Sequence, residues 1–151
     1  MELTVDQALQ QGIAAHKDGK LQDAERIYRA ILQAQPNHPD ANHNLGVLAV
    51  TVGKPLEAVP LFKLALDANP EIEQFWLSYI DALIKDKQHD VAVQVLEDAK
   101  KQGLISDKLK VFEVQLVSQL KITNLQKKLD TLLENYRTGS YEHTAMLAKS
   151  I

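Results

Sequence analysis

The chain has no cysteine among its 151 residues, which excludes disulfide bonds, thiolate metal ligands and a cysteine nucleophile. Aromatic residues make up only 5% of the sequence, and β-branched residues rarely alternate with polar ones, so there is little from which to build a sheet. Leu, Ala, Gln and Lys are abundant instead. With 45% hydrophobic and 25% charged residues, the composition predicts an ordered all-α protein with a real core.

Long apolar runs are also missing. No stretch approaches the roughly 18 uncharged apolar residues needed to span a bilayer, and the first residues lack the basic and then apolar pattern of a secretion signal. We therefore expect a cytoplasmic protein without membrane insertion. The net charge of −3 argues against nucleic acid as a partner, because phosphate binding requires a cationic surface.

Motifs that carry catalytic chemistry are absent as well. The sequence contains no Gly-rich phosphate loop, no G-x-S-x-G, no HExxH and no Cys/His cluster at metal-ligand spacing. His38, Asp40 and His43 are close in sequence, but we interpret His38 as a solvated turn residue and His43 as part of a helix. The sequence thus predicts no catalytic residues, no metal and no cofactor, while a catalytic domain beyond residue 151 stays compatible with it.

What the sequence does contain is an internal repeat. Pro36 and Pro70 are separated by a step of 34 in the numbering, and the same step relates further residues of the same kind. These are Gly12 and Gly46, Gly19 and Gly53, Ala24, Ala58 and Ala92, and Tyr28, Phe62 and Leu96. Three units therefore share one period, at about 5–38, 39–72 and 73–105.

This pattern resembles the tetratricopeptide repeat (TPR), whose repeat of about 34 residues follows W-x2-L-G-x2-Y, then A-x3-F, then P. The second unit fits it with Leu45, Gly46, Ala49, Gly53, Ala58, Phe62, Ala65 and Pro70. The third unit has Trp76 at the tryptophan position, but Ile80 and Lys87 stand where glycines are usual. The resemblance implies an α-solenoid of antiparallel helix pairs, A and B, that winds into a right-handed superhelix.

The glycines and prolines of the repeat have a physical interpretation. Gly19, Gly53 and Lys87 are expected at the turn between helices A and B, where a left-handed backbone favours glycine. Gly46 falls inside an apolar run that predicts a helix, where glycine is disfavoured by roughly 1 kcal/mol relative to alanine. We expect it there because it lets helix B approach closely at Ala58.

The tail loses the repeat phase. It predicts an extra helix over 106–123, begun by Ser106 or Asp107, and a partial, truncated fourth TPR-like unit over 124–151 with Gly139 in its turn. An apolar seam with spacings of three and four residues runs through this region: Ile122, Leu125, Leu129, Leu132 and Tyr136. The seam is typical either of an A helix that packs on the third unit or of a coiled-coil dimer.

In TPR proteins the A helices line a concave groove, and the resemblance therefore implies a set of groove residues. The candidate protein-binding residues are His16, Lys17, His43, Asn44, Val47, Thr51, Ser78, Asp81 and Lys85. Asn44 matches the position from which repeats of O-linked N-acetylglucosamine transferases present an asparagine to an extended peptide. The chaperone-type clamp for a C-terminal carboxylate is not expected, because Leu9, Ile13, Gln74 and Ser78 stand at its cationic and amide positions.

Three functions are compatible with this sequence. The first is a non-enzymatic scaffold that binds a protein or an extended peptide in the groove. The second is a set of N-terminal substrate-recognition repeats that belong to a larger glycosyltransferase or sulfotransferase of the bacterial multidomain type. The third is a self-association module, a homo-oligomer formed through the C-terminal helices.

Overall fold

The computed structural model describes residues 3–139 and 141–151, and the side chains of all of these except 141–144. Every regular element in these ranges is an α-helix. The helices are α1 Val5–Lys17, α2 Leu21–Ala34, α3 Pro39–Thr51, α4 Pro55–Ala68, α5 Glu73–Lys85, α6 His89–Lys101, α7 Asp107–Arg137 and α8 Tyr141–Lys149. The chain forms two compact units, residues 1–112 and 113–151.

In the first unit, neighbouring helices pack in pairs. Helix α1 contacts α2, α3 contacts α4, and α5 contacts α6, while α2 also packs on α3 and α4 on α5. Each of these helices is 13 or 14 residues long. This arrangement confirms the expected all-α class built of antiparallel helix pairs.

The turns inside the pairs use one backbone motif. Gly19, Gly53 and Lys87 all have a positive φ, of 75°, 78° and 61°. The next N–H donates back to a carbonyl near the end of helix A, as in the bond of 2.9 Å from Lys54 to Ala49. This is the Schellman ending of a helix, which satisfies carbonyls that would otherwise lack a partner. Lys87 adopts the conformation that its two glycine counterparts adopt without steric cost.

The helical glycines make room for an aromatic ring. A Cβ atom at Gly46 would lie 2.7 Å from Cε1 of Phe62, and one at Gly12 would lie 2.6 Å from Cε1 of Tyr28. The expectation that Gly46 serves the approach of Ala58 is therefore corrected. Ala58 is fully buried, but the atoms that fill the space beside Gly46 belong to the Phe62 ring.

The third helix pair fills the equivalent positions differently. Ile80 replaces the helical glycine, and Leu96 replaces the aromatic residue. Both side chains are buried. A larger residue on helix A thus accompanies a smaller one on helix B, which conserves volume in a close-packed core.

A repeated hydrogen bond anchors each helix pair to the one before it. The indole Nε1 of Trp76 donates to the carbonyl of Pro70 at 2.8 Å. One period earlier, Nδ2 of Asn42 donates to the carbonyl of Pro36 at 2.9 Å and to that of His38 at 3.1 Å. Asn42 is only 1% exposed, so these bonds offset the cost of burying its amide.

The tail contains one long helix where the sequence predicted two elements. Helix α7 runs from Asp107 to Arg137, so no helix end occurs between 123 and 124. The reason is that neither glycine nor proline occurs between positions 104 and 138. Ser106 precedes the helix as its N-cap, one of the two residues expected there, because its Oγ accepts a hydrogen bond from the N–H of Leu109. Gly139, with a φ of 74°, precedes α8.

The apolar seam of α7 is not the buried face that an A helix would present. Ile122, Leu125, Leu129 and Tyr136 are exposed, and Leu132 is half-buried. The fully buried leucines of α7 are Leu109 and Leu116.

Replacing Gly46 with Ala tests the ring-on-glycine contact. Alanine gains roughly 1 kcal/mol of helix propensity, but overpacking a buried ring costs about 1–3 kcal/mol. We therefore expect Gly46→Ala to lower the free energy of unfolding, measured by urea denaturation. Phe62→Leu should create room, so that Gly46→Ala costs less in the Phe62→Leu background. Additive effects of the two changes would show that the ring does not limit residue 46.

The turn at Lys87 predicts a stabilising substitution. Since a left-handed conformation costs roughly 1–2 kcal/mol for a residue with a Cβ, Lys87→Gly should raise the free energy of unfolding by up to about 1 kcal/mol after the larger entropy of unfolded glycine is subtracted. The matched control is Gly53→Ala, which should lower it. Equal stability of Lys87→Gly and the parent chain would contradict the positive φ at this turn.

Candidate functional site

The A helices of the first unit lie side by side. Helix α1 contacts α3, and α3 contacts α5. Between α3 and α5 the contact includes a hydrogen bond of 2.9 Å that joins Nε2 of His43 to Oγ of Ser78. Two of the predicted groove residues, 35 positions apart in sequence, therefore meet on one surface.

A small polar network surrounds this bond. The side-chain amide of Gln74 donates to Oγ of Ser78 at 3.1 Å. With a neutral imidazole whose proton is on Nδ1, the Ser78 hydroxyl donates in turn to His43. Burial lowers the pKa of His43, and the negative charge of Asp40 opposes that shift. Burial therefore favours the neutral imidazole, the form in which Nε2 can accept this hydrogen bond.

His43 is also part of the core. Its ring centroid lies 4.8 Å from that of Phe75 and 5.5 Å from that of Phe62, and the residue is half-buried. Phe62 is the ring that covers Gly46. The side of the imidazole away from Ser78 thus belongs to the packing between helix pairs.

The other predicted residues of α3 bond within their own helix. Nδ2 of Asn44 donates to the carbonyl of Asp40 at 2.8 Å, and Oγ1 of Thr51 donates to that of Val47 at 2.9 Å. Asn44 keeps its amide oxygen and one N–H without a partner among the described residues. Asn44 and Val47 are half-buried, and Thr51 is exposed. Helix α3 therefore presents an amide beside an apolar side chain.

Charges occur at both ends of the candidate surface. On α5, Lys85 forms an ion pair of 2.5 Å with Asp81 one turn earlier. On α1, Lys17 is exposed, and the His16 ring lies edge-on to Tyr28 with centroids 6.4 Å apart. No hydrogen bond or ion pair links His16 or Lys17 to the other predicted groove residues within the described part of the chain.

The structure contains a cavity of about 350 Å³ that the sequence pattern did not predict. It is lined by Gln74, Leu77, Ser78 and Asp81 of α5 and by Lys108, Val111 and Phe112 of α7. A signal for the last three was available. Helices α1, α3, α5 and α7 begin at positions 5, 39, 73 and 107, so one more step of the repeat would have identified Lys108, Val111 and Phe112 as groove positions.

The residues that suggested a metal site have other roles. Nδ1 of His38 accepts a hydrogen bond of 3.2 Å from the N–H of Ala41 and so caps α3. The interpretation of His38 as a solvated turn residue is corrected accordingly. Over the residues that the structure describes, no group of three or more His, Asp or Glu side chains could hold a metal ion. None of the described helices is long and apolar enough to cross a membrane.

Solved structures with the same fold include several TPR domains. The Sgt2 TPR domain from Aspergillus fumigatus has a TM-score of 0.68 and 20% identity, with 80% of this chain and 81% of that one covered. The first TPR of Spaghetti (RPAP3), bound to the HSP90 peptide SRMEEVD, has a TM-score of 0.69 and 17% identity, with coverage of 80% and 98%.

A bacterial example has the same fold. The type III secretion chaperone SycD of Yersinia enterocolitica, in complex with a peptide of the translocator YopD, has a TM-score of 0.64 and 16% identity, with coverage of 84% and 97%. Identities this low establish likeness of fold alone. Curated protein sequences gave no match.

The family is established by the sequence itself. A family model described as tetratricopeptide repeat matches residues 9–70 and 43–103, which together cover more than half of the 151 residues. These matches include the helical glycines, the turn glycines and the aromatic rings described above. The chain belongs to the tetratricopeptide repeat family.

Proposed function

We propose that this chain is a protein-interaction module whose concave groove, formed by α1, α3 and α5, binds an extended segment of another protein. The observation that carries the proposal is the hydrogen bond between His43 and Ser78. This bond joins α3 to α5, so that the two helices present one continuous surface. The Spaghetti and SycD structures each contain a bound peptide, which supports peptide binding by this fold.

The groups on this surface suit an extended backbone. Asn44 and Gln74 carry amides, which offer a donor and an acceptor to main-chain groups whatever the bound sequence. Val47, half-buried on α3 three residues after Asn44, supplies apolar contact. Since Asp81 and Lys85 form an ion pair, these two residues add no net charge to the surface, and recognition of the backbone would depend on shape and hydrogen bonds more than on their charge.

The His43–Ser78 pair also raises the question of a serine nucleophile. The distance of 2.9 Å is that of a nucleophile and its base. However, Ser78 lies in the middle of α5, where the backbone N–H groups are used by the helix and none is left to form an oxyanion hole. No carboxylate is hydrogen-bonded to His43 among the described residues. We therefore assign the pair to binding and to helix packing.

Three alanine substitutions test the groove. Proteins captured from cell extract by the immobilised chain should bind Asn44→Ala/Asp81→Ala/Lys85→Ala at least tenfold more weakly, measured by biolayer interferometry. The reason is that the variant removes the Asn44 amide and two polar side chains of α5 that would contact the bound segment. The matched control is Lys63→Ala/Asp67→Ala, which removes an ion pair of the same spacing from the B helix α4.

The control should bind as the parent chain does. If the groove variant keeps the parent affinity for every captured protein, the groove is not the binding surface. If only the α4 variant loses binding, the surface of α4 that carries Lys63 and Asp67 is the interface instead.

The half-buried imidazole of His43 predicts a pH dependence of stability. In the unfolded chain His43 titrates near its ordinary pKa of about 6.5, and in the folded chain its pKa is lower. Between these values the unfolded state binds more protons, so the free energy of unfolding falls as the pH drops below about 6.5 and levels off below the folded pKa.

We expect the free energy of unfolding of His43→Gln to fall less between pH 7 and 5 than that of the parent chain. Urea denaturation at each pH measures it. Asp40→Asn removes the negative charge that opposes the lowering of the His43 pKa. In this variant the free energy of unfolding should therefore keep falling to a lower pH than in the parent chain. Identical pH profiles of His43→Gln and the parent chain would refute the assignment.

A further inference from the structure

The cavity between α5 and α7 differs from the rest of the groove. Its seven lining residues all belong to the unit formed by residues 1–112. On one side are Leu77 and Ser78 of α5, and on the other Lys108, Val111 and Phe112 from the start of α7. At about 350 Å³ it is near the lower limit of ligand pockets, roughly 300–1,000 Å³. A space of this size accepts a side chain or two, not a folded partner.

The walls of this cavity are largely apolar. Leu77 is buried, Phe112 is half-buried, and Val111 is 64% exposed although it is a large hydrophobic residue. Covering Val111 would remove apolar surface from water, at about 25 cal/mol per Å². The cavity therefore favours an apolar side chain as its occupant.

The charges at its rim are unbalanced. Asp81 is paired with Lys85 on α5, and Ser78 Oγ is used by His43 and Gln74. Lys108 lines the cavity and has neither an ion pair nor a hydrogen bond within the described residues, whereas its neighbour Lys110 is paired with Asp107 at 3.0 Å. One uncompensated positive charge thus lies beside an apolar space.

We propose that this cavity holds a bulky apolar side chain of the bound segment, and that Lys108 pairs with the side-chain carboxylate of an adjacent Asp or Glu. The inference rests on the groove binding proposed above and specifies the partner's chemistry. We take the segment to be internal to its protein, because Leu9, Ile13, Gln74 and Ser78 stand where a clamp for a C-terminal carboxylate has its cationic and amide groups. Gln74, which also lines the cavity, offers its amide to the backbone of that segment. A charged group at the rim selects among segments more than it adds affinity, because an exposed ion pair contributes little free energy.

Selection from a library of random twelve-residue peptides, displayed with no free C-terminal carboxylate, tests this proposal. The parent chain should enrich peptides in which Leu, Ile, Met or Phe is next to Asp or Glu. Selection on Lys108→Glu should enrich Lys or Arg next to the apolar residue instead. The matched control is Lys110→Glu, which changes a nearby exposed lysine that does not line the cavity, and it should enrich the same peptides as the parent chain.

Affinities of the enriched peptides, synthesised with blocked ends, complete the test. A peptide selected by the parent chain should bind about threefold to tenfold more weakly to Lys108→Glu and at least tenfold more weakly to Val111→Glu, but within twofold to Lys110→Glu. Both cavity positions are exposed, so far-ultraviolet circular dichroism should show the same folded helix content in all variants.

The outcomes separate this inference from the proposed function. Enriched peptides that lack the apolar–acidic pair, or that bind Lys108→Glu and Val111→Glu as well as the parent chain, overturn the cavity assignment while groove binding stands. A library from which no peptide is enriched counts against both. If Lys108→Glu and Lys110→Glu lose affinity equally, the loss is a general effect of charge, and the specific pairing of Lys108 with an acidic residue is overturned.

Discussion

The packing of an aromatic ring against a glycine inside a helix is the contact on which the rest of this structure depends. Phe62 rests on Gly46, and Tyr28 on Gly12, at distances that leave no space for a Cβ atom. Each contact brings helix B of a pair onto its own helix A, with the ring itself almost fully buried. Helices as short as these are marginal by themselves in water. Their stability here comes from the surface that this pairing buries.

The spacing of the helices follows from two further constraints. The left-handed residue after each A helix reverses the chain within a few residues, so helices A and B must be antiparallel neighbours. The carbonyls of Pro36 and Pro70 then accept hydrogen bonds from Asn42 and Trp76 of the next pair. These bonds fix where the next A helix begins relative to the end of the previous B helix. As a result, the exposed faces of the A helices are held in line.

The candidate site follows from that alignment of the A helices, because the packing of the core positions its residues. His43 packs on Phe62 and Phe75 with its ring and bonds Ser78 with Nε2, so the core and the groove share a side chain. A change in the core at Phe62 would therefore alter the position of a groove residue. This coupling gives a physical reason why the polar network can be well ordered on a surface made of separate short helices.

The sequence by itself determined the period, the number of helices in the first unit and their approximate ends. Those features depend on local chemistry: glycine for the turns, proline for the helix starts and ends, and apolar residues at helical spacing. The same local chemistry did not predict the tail correctly, because the glycines that mark the repeat are absent at the expected positions there. Helix α7 still begins one full period after α5, but without Gly or Pro it continues to Arg137.

Only the tertiary structure decided which groups meet. The contact of Gly46 with Phe62, the bond between His43 and Ser78, and the cavity formed by Leu77 and Val111 each join residues of different helices. No residue pattern along the chain encodes such distances, because they result from how the helices lie against each other. The sequence predicted Asn44, Asp81 and Lys85 as groove residues of the A helices, and the fold decided that Asp81 lines a cavity whose uncompensated charge is Lys108.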